Sequence, residues 1–489
     1  MLKRFFTVCA ACLLTAGAAA NDDPHQDIPD IGSLADTVFS RSQAESIGRT
    51  VLHQIREQGS VLEDPEVAEY VSELGQRIAS QAHNGEHSFR FFVVDEAAIN
   101  AFALPGGYIG VNSGLITATR NESELAGVLA HEVAHVTQKH IARRIAGTGK
   151  TSILTTAAIL AAIMLGAGGD VIPAAIMTGQ GLAMQEQINY TRANEHEADR
   201  VGLQYLARAR FDPMGLPSFF EVLMRQAAMP DSRLPEFLQT HPLTSTRIAE
   251  TRNRAERTEA REIVETTAYP LVRARIHALG ARSPAEALAH FEPRLGDQPE
   301  RASAADRYGY GLALMRSGRF AEAARIFSVL LAEDEATVMF HSALGEALVR
   351  DGRESEGMAV FEHAVRLFPR NRPLVLRYAE ALLRVKNYEQ AHAILLDLFN
   401  NVRPTPPQVR LIANAADSAG LRAEALFYLS EYHLMTGELP MAIDKLRLAL
   451  LEPGLKPWQQ ARFEARIEEL VPHLKDRRRA ARNETEDDQ

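Results

Sequence analysis

The chain of 489 residues contains only 2 cysteines and 1 tryptophan. Both cysteines, Cys9 and Cys12, lie within the first twenty residues, so the rest of the chain has no thiol and cannot form a disulfide. Stability without such cross-links suits a large domain or a stack of repeats. With 46% hydrophobic and 24% charged residues, the composition excludes collagen-like, low-complexity and wholly disordered proteins.

An excess of positive charge is also absent. The 53 lysines and arginines are outnumbered by 63 aspartates and glutamates, which gives a formal net charge of −10. Proteins that bind nucleic acids usually present a basic surface to the phosphates, so the composition argues against a nucleic-acid partner. The length exceeds that of one ordinary domain, and we expect two or three domains.

The first twenty residues are typical of a secretory signal peptide. Lys3 and Arg4 precede a short apolar run from Phe5 to Leu14, and Ala18 to Ala20 form a small-residue cleavage pattern. We therefore expect residues 1–20 to be removed on export. A lipid anchor at Cys12 is the weaker alternative, because the apolar run before this cysteine is short.

Long uncharged runs are scarce after this leader. Residues 151–169 form one, with nineteen residues that carry no formal charge, close to the length needed to cross a bilayer. Gly166, Gly168 and Gly169 interrupt its end. Three interpretations remain open: a lid or buried hairpin packed on the protein, an interfacial segment at a membrane surface, and a membrane-spanning helix.

Residues 21–120 alternate between helical and extended patterns. Helical periodicity covers residues 42–58 and 65–80, and residues 88–94 are predicted to form a strand rich in Phe and Val. Residues 100–111 combine a proline and glycines with a β-prone run, which is typical of a bent or edge strand. In this segment Gly106, Gly107 and Tyr108 are candidates for binding an extended peptide, and a surface hairpin is the alternative.

From about Tyr269 the sequence repeats itself with a period of 34 residues. The turn positions Gly318, Gly352 and Lys386 are each 34 residues apart. A small residue lies seven positions before each turn, at Gly311, Gly345 and Ala379. We expect these small residues where one helix of a pair approaches the other closely. The pattern resembles tetratricopeptide repeats, which implies an all-α solenoid with a concave binding surface.

Other segments extend this solenoid. A degenerate leading helix pair is predicted at 271–294, an extra helix around 407–418, and a fourth match at Gly437. We assign residues 263–474 to the repeats. The charge-dense residues 475–489 are expected to form a disordered tail.

One long helix is predicted over residues 122–144, because Asn121 is a favourable N-cap residue with a glutamate three positions later. His131 and His135 lie four residues apart on it, so both imidazoles can reach one metal ion, while Glu132 can face a water molecule. A solvated helix face with incidental histidines is the alternative. His140 lies half a turn off this row and is expected to be exposed.

Glu195 and Asp199 are also four residues apart, on a second helix predicted at 193–208. Their carboxylates share one face, so one can bind the ion and the other can hold an imidazole N–H. Two histidines and one glutamate form the ligand set of a catalytic zinc site with an open position for water. Glu197 is a competing ligand, although two residues from Glu195 it faces a different side of the helix.

The segments His131-Glu-Val-Ala-His135 and Glu195-His-Glu-Ala-Asp199 resemble the HExxH and ExxAD motifs of the M48 family of zinc metallopeptidases. The resemblance covers about residues 42–253 and includes the segments 102–107, 122–131 and 241–247. It implies an α+β zincin-type metallopeptidase domain over residues 21–262, mostly helical with a small sheet, followed by the all-α repeat solenoid. The domain order, with a signal peptide before the metallopeptidase domain and repeats after it, is similar to that of the periplasmic β-barrel-assembly-enhancing protease subgroup.

The resemblance also implies roles for individual residues. His131, His135 and Glu195 would bind one Zn²⁺ per chain, Glu132 would be the general base, and Asp199 would orient a ligand.

His241 and Arg247 have no partner visible in the sequence. His241 is a surface-loop residue, a fourth metal ligand that silences the enzyme, or a donor to the tetrahedral oxyanion. Arg247 pairs with a carboxylate or binds the substrate backbone. We also expect the enzyme to be largely latent, with His241 near the metal or residues 151–169 over the cleft.

These features together predict an exported zinc endopeptidase, and the resemblance implies that it is periplasmic and hydrolyses misfolded or misassembled envelope and outer-membrane proteins. The resemblance implies polypeptide substrates and docking to the outer-membrane assembly machinery through the repeats, with peripheral membrane contact as an option. One alternative is a repeat-based periplasmic chaperone or adaptor with weak or latent protease activity. Another is a membrane-integral protease anchored by residues 151–169.

Overall fold

The computed structural model describes residues 40–82, 88–146, 181–229, 235–258 and 263–487. The predicted signal peptide and the uncharged segment 151–169 lie outside these ranges. Within them, no helix combines the length and the apolar character needed to cross a membrane.

The part of the chain before residue 259 folds from helices and a small sheet, as predicted. Its helices are α1 (Arg41–Glu57), α2 (Pro65–Ala79), α3 (Ser113–Ala118), α4 (Glu122–Thr137), α5 (His140–Ala146), α6 (Gly181–Arg208), α7 (Gly215–Ala227), α8 (Glu236–Thr240) and α9 (Ser245–Arg257). Its strands are β1 (Arg90–Val94), β2 (Ala101–Leu104) and β3 (Tyr108–Asn112).

The sheet has the order β1-β3-β2, with β3 parallel to β1 and antiparallel to β2. The run that begins at Tyr108 is therefore a central strand, and the predicted edge position is correct only for β2. Gly106 and Gly107 form the β2–β3 turn at positive φ, and an added Cβ would lie 2.6 Å from the backbone of Glu45 and 2.7 Å from that of Ser88, respectively. These contacts leave no free edge for a peptide at residues 106–108.

Helix α4 lies at the centre of the core, and all of its residues are buried. The side chain of Asn121 accepts a hydrogen bond from the backbone N–H of Glu124, which confirms the predicted N-cap. Helix α6 crosses α4 where Gly202 faces the backbone of Ala130, and an added Cβ would lie 3.1 Å from that backbone. This close approach places the polar side chains of α6 beside those of α4.

The prediction of one helix over residues 122–144 is wrong. Helix α4 ends at Thr137, Lys139 adopts a left-handed conformation with φ of 54°, and α5 begins at His140. A single left-handed residue changes the direction of the chain, so the rows of side chains on α4 do not continue into α5. His140 is consequently buried, with 4% exposure, whereas the sequence predicts an exposed residue.

The remainder of the described chain consists of α-helices and one 3₁₀ turn, with consecutive helices packed on each other, which confirms the all-α repeat prediction. The helices are α10 (Ala268–Gly280), α11 (Pro284–Leu295), α12 (Ala304–Arg316), α13 (Phe320–Glu333), α14 (Val338–Arg350), α15 (Glu354–Leu367), α16 (Arg372–Arg384), α17 (Tyr388–Asn401), α18 (Pro406–Ser418), α19 (Arg422–Thr436), α20 (Leu439–Leu450) and α21 (Pro457–Asp487). A 3₁₀ turn covers Pro299–Arg301. Where the sequence predicts a disordered tail from residue 475, the structure continues α21 to Asp487.

Close packing within the pairs confirms the role of the small residues. An added Cβ at Gly311 or Gly345 would lie 2.5 or 2.6 Å from the ring of the phenylalanine sixteen residues later. The fourth turn, however, is at Gly420 (φ 75°), 34 residues after Lys386, and not at Gly437, which ends α19. The predicted extra helix is therefore the first helix of a regular fourth pair, α18 and α19.

Buried ion pairs join the two parts of the molecule. Arg275 of α10 donates through Nε and Nη2 to the two carboxylate oxygens of Asp64, each at 2.7 Å, and Arg377 of α16 donates to Glu66 at 2.8 Å. Burial alone would raise the pKa of Asp64, but Arg275 and Arg377 outweigh it and hold the pKa well below its usual range. The first helix pair and the third full repeat thus bind the N-terminal end of α2. The predicted boundary at residues 262 and 263 stays a prediction.

Candidate metal centre

Four buried side chains bring their donor atoms together on one side of α4. Ligand atoms of His131, His135, Glu195 and His241 all lie within 4.8 Å of one another. Nε2 of His131 lies 2.9 Å from Nε2 of His135. The spacing of the two histidines on α4 therefore directs both rings to one point, as the sequence predicts.

Glu195 reaches this point from α6. Its carboxylate oxygens lie 3.4 Å from Nε2 of each α4 histidine, His131 and His135. Burial would raise the pKa of Glu195, but the charges of His241 and Arg247 outweigh it and hold the pKa well below its usual range. The carboxylate is thus kept ionised, which is the form that binds a cation.

Asp199 lies one turn further along α6 and contacts the opposite side of the His131 ring. Its Oδ1 atom lies 3.0 Å from Nδ1 of His131. Burial would lower the pKa of His131, but hydrogen bonds to Asp199 and Glu195 raise it to about 9. In this position Asp199 holds the ring so that Nε2 points to the cluster.

Arg247, on α9, is 2% exposed and connects the two carboxylates of α6. It donates through Nε and Nη2 to Asp199, at 2.5 and 2.9 Å, and its Nη1 lies 2.7 Å from Glu195 Oε2. Of the two roles predicted for Arg247, the structure shows pairing with carboxylates. A guanidinium with this burial and these partners is not presented to a substrate backbone.

His241 is buried and not a surface-loop residue, with 7% exposure. It follows α8, its ring stacks on Phe237 at a centroid distance of 4.6 Å, and the N–H of Phe237 donates to the carbonyl of Ile99 just before β2. Its Nδ1 lies 3.1 Å from both oxygens of Glu195 and 3.3 Å from Nε2 of His131. The segment that carries His241 therefore packs beside strand β2, and the His241 ring fills one side of the cluster.

Glu132 faces the same space from the next position on α4. It is buried, and its Oε1 has no hydrogen-bond partner among the described residues; Nε2 of His241, at 3.5 Å, is too distant. Burial raises the pKa of this carboxyl group. A carboxyl oxygen that holds no hydrogen bond can exchange a proton with a water or substrate bound beside the cluster.

His140 and Glu197 form a further contact that the sequence analysis missed. Nδ1 of His140 lies 2.9 Å from Nδ1 of His135, and Nε2 of His140 lies 3.1 Å from Glu197 Oε2. Glu197 faces His140 and Arg143 and lies outside the group of converging donors. Neither contact follows from helix spacing, because both depend on the left-handed turn at Lys139.

The charges at the centre favour a divalent cation. Glu195 and Asp199, whose pKa values are lowered, contribute −2 and the buried guanidinium of Arg247 contributes +1, so the centre carries an excess of −1 once its histidines are neutral, as metal binding requires. A buried excess of negative charge is costly unless a cation balances it. Two imidazoles and one carboxylate, with a second carboxylate nearby, also match the donor types that bind zinc.

Comparisons with known proteins agree with this geometry. Residues 65–255 match the model of peptidase family M48, and residues 348–415 match a tetratricopeptide repeat. A beta-barrel assembly-enhancing protease of Yersinia pestis is 31% identical over 473 residues, which cover 95% of this chain and 97% of the relative. The protein of that name from Escherichia coli K12 is 31% identical over 465 residues, 95% of each chain.

More distant similarities cover parts of the chain. A mitochondrial metalloendopeptidase OMA1 of Schizosaccharomyces pombe is 32% identical over 179 residues, 37% of this chain and 50% of the relative. Among solved structures, a thermophilic tetratricopeptide-repeat protein of Thermus thermophilus is 21% identical, with a TM-score of 0.26, and covers 40% of this chain and 96% of that chain.

Proposed function

The chain belongs to peptidase family M48 and, within it, to the beta-barrel assembly-enhancing proteases, and from this premise we propose that it is a periplasmic zinc endopeptidase. Its substrates would be misfolded or misassembled envelope proteins, outer-membrane proteins among them. The observation that carries the proposal is the convergence of His131, His135 and Glu195 beside the carboxyl group of Glu132, whose Oε1 has no hydrogen-bond partner among the described residues. Three ligands and an adjacent base are the parts that hydrolysis of a peptide bond requires.

His131, His135 and Glu195 would hold the zinc ion. When bound, zinc acts as a Lewis acid that polarises a carbonyl group and lowers the pKa of water to about 7. Glu132 accepts the proton of the attacking water and returns it to the leaving amine. Asp199 and Arg247 keep His131 and Glu195 in place during these steps.

The substrate backbone would pair with the outer edge of β2 and not with residues 106–108. Strand β2 has a neighbour on one side, β3, in the described sheet, and it packs against α4, which carries the histidines. An extended peptide at this edge would have its backbone groups satisfied by the strand. The hydrogen bond from Phe237 to Ile99 occupies the start of the same edge.

His241 would keep the purified enzyme largely latent as a fourth ligand. Its Nδ1 already lies 3.1 Å from Glu195 and 3.3 Å from His131, which is the distance range of neighbouring ligand atoms. Activation would then require α8 and its flanking segments to move away from β2. Release by a partner bound to the repeats is the mechanism that we favour.

The repeats would provide the docking site for substrates or for the outer-membrane assembly machinery. A cavity of about 970 Å³ lies between α1, α2 and β1 on one side and α16, α18, α19 and α21 on the other. Arg49 and Arg403 line it from opposite sides, and neither has a carboxylate partner among the described residues. Charge reversal, Arg49→Glu with Arg403→Glu, should reduce cross-linking to the partner and leave casein cleavage by the purified enzyme unchanged.

A repeat-based periplasmic chaperone or adaptor is the second candidate. The cavity described above favours this candidate, because it offers a binding site that includes the repeats and does not depend on an open metal site. The two functions differ in their dependence on Glu132: an adaptor keeps its cellular role when Glu132 is replaced by glutamine, whereas an endopeptidase loses it.

Metal analysis together with a casein-cleavage assay tests the proposed function. The wild type should contain one zinc ion per chain and cleave casein at a low basal rate, and Glu132→Gln should keep the zinc and the fold but lose the cleavage, because an amide cannot accept the proton. Glu195→Gln should bind zinc more weakly, since a neutral amide is a poorer ligand than a carboxylate. Wild-type protein without zinc, or Glu132→Gln with more than about a tenth of the wild-type rate, would overturn the proposal.

A further inference from the structure

We propose that His140, oriented by Glu197, is a positioning residue that fixes the tautomer and the ring orientation of His135, so that Nε2 of His135 is free to bind the metal. The proposal rests on the proposed function in one respect, since it takes His135 to be a metal ligand. It concerns residues outside the ligand set and adds a hydrogen-bonded relay from α6 through α5 to α4.

The geometry of this relay is continuous. Nδ1 of His135 and Nδ1 of His140 are 2.9 Å apart, and Nε2 of His140 is 3.1 Å from Oε2 of Glu197. Arg143, on the same helix as His140, places Nη1 3.3 Å from that carboxylate oxygen. His140 is 4% exposed and His135 is 9% exposed, so water does not compete freely for these nitrogens.

The protons in the relay can be assigned from its acidic end. An ionised carboxylate only accepts hydrogen bonds, so Glu197 requires a proton on Nε2 of His140. Neutral His140 then has a lone pair on Nδ1, which accepts from the Nδ1–H of His135. With its proton on Nδ1, His135 presents the lone pair of Nε2 to the ligand cluster. The position of the proton on His140 therefore determines the position of the proton on His135, and it leaves Nε2 of His135 able to bind a metal ion.

The relay completes an arrangement in which each metal-binding histidine has its own partner on the far nitrogen. His131 has Asp199 at 3.0 Å, whereas His135 has no carboxylate of the described residues on its Nδ1 and contacts His140 instead. Three alternate residues of α6 thus have three separate tasks: Glu195 joins the ligand cluster, Asp199 contacts His131, and Glu197 contacts His140. Removing partners of this kind typically weakens metal affinity about 10–100-fold.

Substitutions at His140 can separate a positioning role from simple packing. His140→Phe keeps a ring and loses both nitrogens. His140→Asn places an amide near the position of Nδ1 and retains an acceptor for His135, whereas His140→Gln places its amide near Nε2 and contacts Glu197 alone. His196→Phe is the matched control, because His196 lies on α6 with an exposed side chain that pairs with Glu250.

The measurements are zinc affinity by chelator competition and the visible absorption spectrum of the cobalt-substituted protein, both on the purified protein. We expect His140→Phe and His140→Gln to bind zinc about 10–100-fold more weakly and to alter the cobalt spectrum. His140→Asn should restore most of the affinity and the wild-type spectrum. The control His196→Phe should match the wild type in both measurements.

The outcomes distinguish the relay from the proposed function. Affinities within about twofold of wild type for His140→Phe, or equal losses for the Asn and Gln variants, would overturn the relay while zinc-dependent cleavage by the wild type stands. Absence of zinc from the wild type would overturn the proposed function and the relay together. If the Phe variant fails to fold, the comparison between Asn and Gln still decides the question.

Discussion

Arg247 and Asp199 form a two-point ion pair in the interior, with Nε and Nη2 of the guanidinium 2.5 and 2.9 Å from the two carboxylate oxygens. The pair joins α9 to α6 and stands behind His131, whose Nδ1 contacts the same carboxylate. Burial would lower the pKa of Arg247, but Asp199 and Glu195 raise it, so the charge persists throughout the accessible pH range.

Arg247→Met should therefore destabilise the peptidase domain and weaken zinc binding. Removing one partner leaves a buried, uncompensated carboxylate, which typically costs about 3–5 kcal/mol. Urea unfolding and zinc competition would measure the two effects. Arg254→Met, at an exposed position of the same helix, is the control and should be neutral; equal behaviour of the two variants would contradict the assignment.

His241→Ala should raise the basal rate of casein cleavage, because His241 occupies the side of the cluster where a fourth ligand would lie. Zinc content should stay at one per chain, since three ligands remain. The rate of cleavage by the purified enzyme, with and without the substitution, is the measurement. A slower rate, equivalent to an activation free energy raised by about 2.7–4 kcal/mol, would instead identify His241 as an oxyanion donor. An unchanged rate would show that His241 has no part in the mechanism.

Asp64→Asn should destabilise the protein at pH 7, and the difference from wild type should shrink as the solution becomes acidic. The folded-state pKa of Asp64 is held below its unfolded value of about 3.9. Its contribution is thus fully present above pH 4 and is lost as the pH falls through the folded pKa. Urea unfolding of both proteins at pH 7 and near pH 3 tests this.

The matched control for this experiment is Asp417→Asn, because the Asp417 side chain is 59% exposed. Its effect should be small at both pH values, as is usual for surface ion pairs. If Asp64→Asn lowered the free energy of unfolding equally at pH 7 and pH 3, the buried ion pairs to Arg275 and Arg377 would not be the source of the stabilisation.

Gly345→Ala should destabilise the repeats by about 1–3 kcal/mol, because the added Cβ would lie 2.6 Å from the ring of Phe361 and would force the helix pair apart. Gly280→Ala is the matched control: nothing lies within 4 Å of an added Cβ there, and the position ends α10. Thermal unfolding of both variants measures the difference. Equal melting temperatures would contradict the close approach of α14 and α15.

Local spacing accounts for the parts of the site that were predicted correctly. His131 and His135, like Glu195 and Asp199, are four residues apart on one helix, and a helix of 3.6 residues per turn places such pairs on one face in any tertiary context. The 34-residue period of the repeats is similarly local, since each helix pair packs mainly on its neighbours. The sequence by itself therefore determined the ligand-bearing faces and the solenoid.

Only the tertiary structure decided which distant residues complete the site. His241 and Arg247 reach the cluster from segments more than forty residues beyond Glu195, and His140 turns inward because one residue, Lys139, adopts a left-handed conformation. The central position of β3 likewise depends on which strands meet across the sheet. Such contacts depend on loop paths and on burial against the whole core, and neither is contained in the periodicity of a single segment.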